Sequence, residues 1–331
     1  MTTIGLIGAG AIARDHVAAY ARIPGVRVAH VADVAPERAR ELAAVAGAAW
    51  TADPEVVLAA PEVDAVDICT PSASHAALTI AAAARGKHVH VEKPAALALA
   101  DFDAMVAAAR ERGVSLTVGQ TARFQPVHQE LRRALDEGAI GRLRYLHVLW
   151  YVGHVWAGGW RAWQLDPARS GGHPLHNGIH ALDLAVWLIG REPARVFARG
   201  YRTFAPDMGI PDGFHMTVRF DDGSLALLDI SYALRARGEA LRRVLAVGEA
   251  GSLSHSTEED PRLYSDAAPS PSPAYDDALH AQLARWVATL RGEAEPLVRN
   301  EQVRAALAAA LAAQRSLETG AAVALGEVGD A

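Results

Sequence analysis

Short apolar runs alternate with stretches of helical composition through the first 120 positions. The runs at 3–7, 26–32, 65–70, 88–91 and 115–118 are brief and rich in Val, Ile and Ala, while 14–21, 36–47, 76–85 and 101–112 read as helices between them. That alternation predicts right-handed βαβ units and a parallel sheet with helices on both faces. After Gly141 the apolar runs lengthen, at 142–151, 194–202, 215–220, 224–232 and 241–247, and Asp221-Asp222-Gly223 joins two of them as a hairpin turn. This half should carry a largely antiparallel sheet. The segment 267–273, Ala-Ala-Pro-Ser-Pro-Ser-Pro, reads as an irregular loop, and no internal repeat is visible. The expected class is α/β: a doubly wound parallel domain over 1–122, then an α/β domain over 123–331 with a large, mostly antiparallel open sheet.

Composition narrows the picture without changing it. A chain of 331 residues with 51% hydrophobic positions can bury two substantial cores. Its net charge of −6 gives no reason to expect nucleic acid or an anionic membrane as partner. The single cysteine, Cys69, leaves no disulfide framework and lies at the end of an apolar strand, where a small buried hydrophobe is the simpler role than a nucleophile. Neither a basic leader nor an apolar run of about 20 residues is present, so a cytoplasmic location is expected.

Candidate chemistry begins at the first strand's end, where Gly8-Ala9-Gly10-Ala11-Ile12-Ala13 follows the run 3–7 and precedes a helix. In such a G-x-G-x-x-A turn the first glycine allows the tight bend and the second lets a pyrophosphate approach the backbone. Ala13 keeps the helix close to the strand, and the phosphates meet free N–H groups at the helix start. The second strand ends at Asp33, about 20 residues beyond the glycines, where an acid bonds the adenine ribose hydroxyls. Asp33 argues for NAD over NADP because it repels a 2′-phosphate. Arg38, on the next helix, is the residue that would neutralise that repulsion, its alternative role being a solvated helix charge.

A wider set of marks carries a family resemblance. With the Gly-rich turn, the chain has Thr70-Pro71-Ser72 and His75, Glu92-Lys93-Pro94, Arg123-Phe124, Gly171-Gly172, Gly178-Ile179-His180 and a closing Glu318-Thr319-Gly320. In order and spacing these resemble the glucose-fructose oxidoreductase and inositol dehydrogenase family (Gfo/Idh/MocA) over nearly the whole length. The resemblance implies an N-terminal Rossmann domain, a C-terminal domain whose open sheet forms a homodimer or homotetramer interface, and nicotinamide-dependent redox at a sugar, polyol or related carbon. It implies cofactor contacts at Gly8, Gly10, Ala11, Ile12, Asp33 and Arg38, and at Thr70, Pro71, His75, Glu92, Lys93 and Gln120. Substrate contacts fall on Lys93, Arg123, His154, His176 and His180.

Oxidising an alcohol requires a base beside the hydroxyl and a positive group for the developing alkoxide. By the resemblance Lys93 and His180 take those parts. The family's Asp-x-Gly-x-His pattern is broken here by His176, so the usual carboxylate behind the base is absent; Asp183, one helical turn past His180, is a candidate replacement, with a structural acid as the alternative. His176 and His180 also form an i, i+4 pair if a helix starts nearby, and with His173 or His154 they admit a zinc reading. The lack of nearby Cys and clustered acids speaks against it, and no metal is expected. Trp160, Arg161, Trp163 and Arg169 lead into this cluster with ring faces suited to a sugar and donors suited to its hydroxyls; packing is the alternative role. The chain therefore reads as an NAD-linked oxidoreductase for a sugar, polyol or cyclitol. Its rivals are a catalytically silent nucleotide-binding regulator, an NAD-dependent glycosidase and a His-cluster metal-dependent hydrolase.

Overall fold

The computed structural model describes residues 1–153, 163–203, 210–234, 240–257, 262–265, 270–271 and 277–328. The chain divides into two compact units, Met1–Thr121 with Asp276–Val303, and Ala122–Tyr275 with Arg304–Ala331. A single boundary at 122/123 therefore misses the return of a C-terminal segment to the first unit.

The first unit holds a six-stranded sheet of β1 (Thr2–Ile7), β2 (Val26–Ala32), β3 (Ala49–Thr51), β4 (Ala65–Ile68), β5 (His88–Val91) and β6 (Leu116–Val118). Its order is β3-β2-β1-β4-β5-β6 and every pairing is parallel. The chain crosses over through α1 (Ala11–Tyr20), α2 (Pro36–Ala46), α3 (Pro54–Ala59), α4 (His75–Ala84) and α5 (Leu99–Glu111). Strand order reverses between β1 and β4, and in such sheets a crevice opens beyond the strand ends at that switch. The strands are largely apolar because both faces are covered: Ile4, Leu6, Val66, Ile68, Val89 and Val91 are fully buried. After α6 (Pro126–Asp136), α7 (Pro167–Ser170) and α8 (Ile179–Ile189) in the second unit, α9 (Ala278–Leu290) completes the first, burying Leu283, Trp286 and Val287 in one core with Ile4, Val17 and Tyr20.

The second unit is built on a nine-stranded sheet of β7 (Leu143–Gly153), β8 (Pro193–Tyr201), β9 (Gly213–Phe220), β10 (Leu225–Leu234), β11 (Ala240–Gly248), β12 (Ser252–Ser256), β13 (Arg262–Ser265), β14 (Ser270–Pro271) and β15 (Val323–Ala324). The order is β14-β13-β12-β11-β7-β10-β9-β8-β15, antiparallel except for the β10–β7 pair. The expected hairpin joins β9 to β10, with Gly223 at φ +82° and Phe220 N–H donating to Ser224 O. Side chains alternate along the central strands. Leu146, Val148 and Trp150 of β7 and Ala226, Leu228 and Ile230 of β10 are buried, on the sheet against which α8 packs. The last helix, α10 (Asn300–Thr319), accounts for Ser316, whose hydroxyl accepts from the Ala198 N–H of β8. Of the expected loop 267–273, Ser270–Pro271 is a short strand and the rest lies outside the described residues.

Candidate active site

The Gly-rich turn closes against the end of β4. Gly8 has φ +99°, and a Cβ there would lie 2.6 Å from the Cys69 carbonyl carbon and oxygen, so only glycine fits the two backbones together at the switch point. Gly10 differs. A Cβ on it would meet nothing within 4 Å, and α1 begins beyond it with no side-chain cap, leaving first-turn N–H groups beside exposed Ala11 and Ile12. Ala13 is fully buried. An uncapped, open helix start of this kind suits a pyrophosphate.

Asp33 ties that turn to the end of β2. Its Oδ2 accepts from Ala9 N–H at 2.8 Å, and its Oδ1 accepts from Ala35 N–H at 2.8 Å and from the Arg38 guanidinium at 2.7 Å. Burial pushes this carboxyl up, but the Ala9 and Ala35 amides and Arg38 together hold it below its ordinary value. Asp33 is thus an ionised acceptor, and Arg38 is its partner rather than a lone solvated charge.

Thr70 and Pro71 form the turn after β4, with the Ser74 hydroxyl donating to both Thr70 Oγ1 and Pro71 O. His75, expected to touch the cofactor, is corrected: it is wholly buried, its Nε2 lies 2.9 Å from Thr70 O and its Nδ1 2.9 Å from Pro94 O. It pins the loops after β4 and β5 to each other. At the end of β5, Glu92 is buried and Lys93 half-buried; Glu92 Oε2 accepts the Lys93 backbone N–H at 3.2 Å. Burial pulls the Lys93 ammonium below the ordinary lysine value against the opposing pull of Glu92. A Cβ on Gly119 would fall 2.8 Å from Glu92 Oε1, so a larger residue there would push on that carboxylate. Next to it Gln120 is buried and its Oε1 has no partner among the described residues, an acceptor that a bound ligand's donor would satisfy.

Sequence reasoning missed the polar cluster beneath Glu92. Asp67, fully buried on β4, accepts from His16 Nδ1 of α1 at 2.7 Å, from the Tyr20 hydroxyl at 2.8 Å and from His90 Nδ1 of β5 at 2.8 Å. An aspartate in the apolar run Ala65-Val66-Asp67-Ile68 was the available signal, since a buried charge demands partners. Among the described residues, His16, Asp67 and His90 are the three ligand-type side chains close enough to share an ion. Their contacts have hydrogen-bond lengths, whereas two ligands of one zinc ion sit roughly 3.3 Å apart. It is a hydrogen-bond cluster.

In the second unit, a π-helical turn, Pro174–Gly178, leads into α8. Such a turn widens the helix and shifts its phase, a feature concentrated at functional sites. The expected i, i+4 face is therefore corrected: His176 Nδ1 pairs with the Tyr232 hydroxyl at 2.8 Å and its ring meets Trp163 edge-on, while His180 stacks on Trp150 with centroids 5.4 Å apart. Burial keeps Tyr232 a neutral phenol. His173 donates Nδ1–H to Pro211 O at 2.8 Å and stacks on Tyr232 at 4.0 Å; burial lowers it to about 3, so it is neutral. His173 and His176 thus both meet Tyr232, whereas His180 lies against Trp150. Gly178 crosses the floor of the sheet, where a Cβ would lie 2.9 Å from Phe214.

Two further expectations are corrected by burial. Arg123, expected at the substrate, is completely buried and forks onto Asp183, with Nε and Nη2 each 2.7 Å from a carboxylate oxygen. Asp183 is consequently committed to Arg123 and does not supply the carboxylate that His176 displaces. Trp163 is half-buried with Arg169 over its ring at 6.0 Å, whereas His154, Trp160 and Arg161 lie outside the described residues.

Comparison with known proteins agrees with this geometry. Residues 2–120 match the oxidoreductase family with an NAD-binding Rossmann fold, and residues 128–254 match the GFO/IDH/MocA C-terminal domain. The chain is 30% identical to the 1,5-anhydro-D-fructose reductase of Ensifer adhaerens, over 97% of each chain. It is 30% identical to the myo-inositol 2-dehydrogenase of Thermotoga maritima, over 98% of this chain and 99% of that one. A crystal structure of a probable dehydrogenase from Thermotoga maritima superposes with a TM-score of 0.85 at 30% identity, covering 98% of this chain and 99% of the other. With its parallel Rossmann sheet and mostly antiparallel second sheet, this chain is an NAD(P)-dependent oxidoreductase of the Gfo/Idh/MocA family.

Proposed function

We propose that the chain transfers a hydride between NAD and the hydroxyl or carbonyl carbon of a sugar, polyol or cyclitol. The observation that carries this reading is the pairing of an open helix start at Gly10 with an ionised Asp33, in a chain whose full-length relatives are named for an anhydro sugar and for myo-inositol. When bound, nicotinamide supplies the hydride acceptor or donor. The Gly8–Ile12 turn and the α1 N-terminus would hold the pyrophosphate, and Asp33 the ribose hydroxyls through its remaining lone pairs. Lys93 supplies positive charge to the oxygen of the reacting carbon, and its lowered proton affinity keeps that charge responsive to the oxygen it serves. His180 accepts the hydroxyl proton in the oxidative direction, with its ring plane set by Trp150. His176, held by Tyr232, is a substrate contact or orienting donor rather than the base.

NAD is the preferred cofactor, because Asp33 can accept a ribose hydroxyl of NAD but faces a phosphate dianion with NADP. The Arg38 pair narrows that preference without reversing it. A panel of aldoses, polyols and cyclitols offered with NAD and with NADP, followed by reduced-nicotinamide absorbance, tests both points. Turnover of a cyclic polyhydroxy compound with NAD supports the reading; binding of NAD with no turnover across the panel favours a silent regulator.

A further inference from the structure

The buried cluster beneath Glu92 is not used by the chemistry just described, yet its geometry reaches the residue beside Lys93. His16 Nδ1 lies 2.7 Å from Asp67 Oδ2 and its Nε2 lies 3.2 Å from Glu92 Oε1, so the ring stands between two carboxylates that can only accept when ionised. An imidazolium there answers both charges, by a hydrogen bond to Asp67 and, at Glu92, by an ion-pair approach that lacks hydrogen-bond geometry. His90 differs: its Nδ1 pairs with Asp67 Oδ1 at 2.8 Å and its Nε2 faces the Gln282 amide nitrogen at 3.0 Å. The Gln282 oxygen in turn accepts from the Thr121 hydroxyl at 2.8 Å. Alternating charges run from Asp67 through His16 and Glu92 to Lys93. The same imidazolium joins α1, whose N-terminus is the candidate pyrophosphate seat, to the strand end that carries Lys93.

We propose that His16 is a positioning residue for the redox step, its buried imidazolium holding the Glu92 carboxylate ionised and in place beneath Lys93. This rests on the reading of Lys93 as the group that serves the reacting oxygen. The titratable groups around His16 are Tyr20 on its own helix, Asp67 and Cys69 of β4, and His90, Glu92 and Lys93 at β5; Gln282 and Trp286 face the cluster from α9. Burial works against a charged ring there, and the Asp67 carboxylate overrides it, keeping His16 well above the ordinary histidine value. For Glu92 burial pushes up, and His16 is the first of the groups that bring it below its ordinary value. Replacing His16 by a neutral side chain must therefore raise Glu92.

The test is a carbon-13 titration of the Glu92 side-chain carboxyl in the full chain, without cofactor, for the parent and His16→Gln. The Glu92 midpoint should rise by about one pH unit or more. On the best panel substrate, the acid limb of kcat should move up with it, while KM for NAD stays within about threefold. Glu92→Gln should remove that limb, and the double variant should match Glu92→Gln. An unmoved Glu92 midpoint overturns the proposal, as does an unmoved kcat profile in His16→Gln when Lys93→Met has lost turnover. A fully active Lys93→Met enzyme instead sinks the reading of Lys93, whatever Glu92 does. If His16→Gln does not fold, nitrogen-15 spectra of the parent decide: two protonated ring nitrogens on His16 between about pH 6 and 9 are expected, and a neutral ring contradicts the proposal.

Discussion

At Gly8 two backbones approach so closely that a single methyl group has nowhere to go. Alanine there would be strained at φ +99° and would press on the Cys69 carbonyl, so Gly8→Ala should cost at least about 2 kcal/mol in urea unfolding and weaken NAD binding. Gly10→Ala meets open space and should spare stability while still weakening binding, because the methyl would stand in the proposed pyrophosphate seat. A second residue-scale prediction follows from the Asp33–Arg38 pair. Removing the guanidinium leaves the carboxylate uncompensated, and Arg38→Ala should increase the NAD-over-NADP affinity ratio by about fivefold or more in calorimetric titrations. Gly8 and Asp33 were singled out in the sequence because the spacing of a Gly-rich turn and the acid that ends the next strand is itself a pattern along the chain. His16 and Asp67 were not, since their partnership spans 51 positions and exists only once α1 lies over β4.

The helix α8 shows how an element is fixed before it presents chemistry. It is buried on nearly every side, His180 and Ile189 being the half-buried exceptions, and Arg123 clamps it through Asp183 with both side chains fully buried. Breaking that pair leaves one buried charge uncompensated, so Arg123→Met alone should destabilise by about 3–5 kcal/mol, whereas Arg123→Met with Asp183→Leu should recover most of the loss. A double-mutant cycle by chemical denaturation measures this. Additive losses would mean that the pair does not couple. The strands β7 to β11 were readable as lengthened apolar runs in the sequence, each within a few residues. The helix α8 was not, because a fully buried helix has no polar face, and neither was α10, whose alanine-rich composition blurs the 3.6-residue period. The first helix begins at Ala11 instead of 14 because Gly10 takes the capping position with no polar side chain to announce it.

Across the whole molecule, the buried histidines predict how stability responds to acid. His128 and His173 are lowered by burial to about 4 and about 3. Below the unfolded histidine value of about 6.5 the unfolded chain takes up protons that these folded rings refuse, so each removes about 3 kcal/mol of stability by pH 4. His16 acts in the opposite sense. Its folded value is raised, so its contribution is fully present below about 6.5 and is lost only as pH rises through that higher value. Two refusing rings outweigh one accepting ring, and the melting temperature should fall between about pH 7.5 and 5. A melting temperature that holds or rises over that interval would contradict the assignment of neutral His128 and His173. The two-unit plan was visible in the switch from alternating helices and short strands to longer strands, whereas the return of α9 to the first unit was not. Its contacts with Ile4, Val17 and Tyr20 join residues more than 250 positions apart, and no local pattern records them.

The most direct test of the account is Lys93→Met, assayed for NAD affinity and for turnover of the best panel substrate on the same preparation. Held to a role at the reacting oxygen, the variant should bind NAD within about tenfold of the parent and turn over at least about a hundredfold more slowly. Turnover equal to the parent's, with NAD still bound, would contradict it.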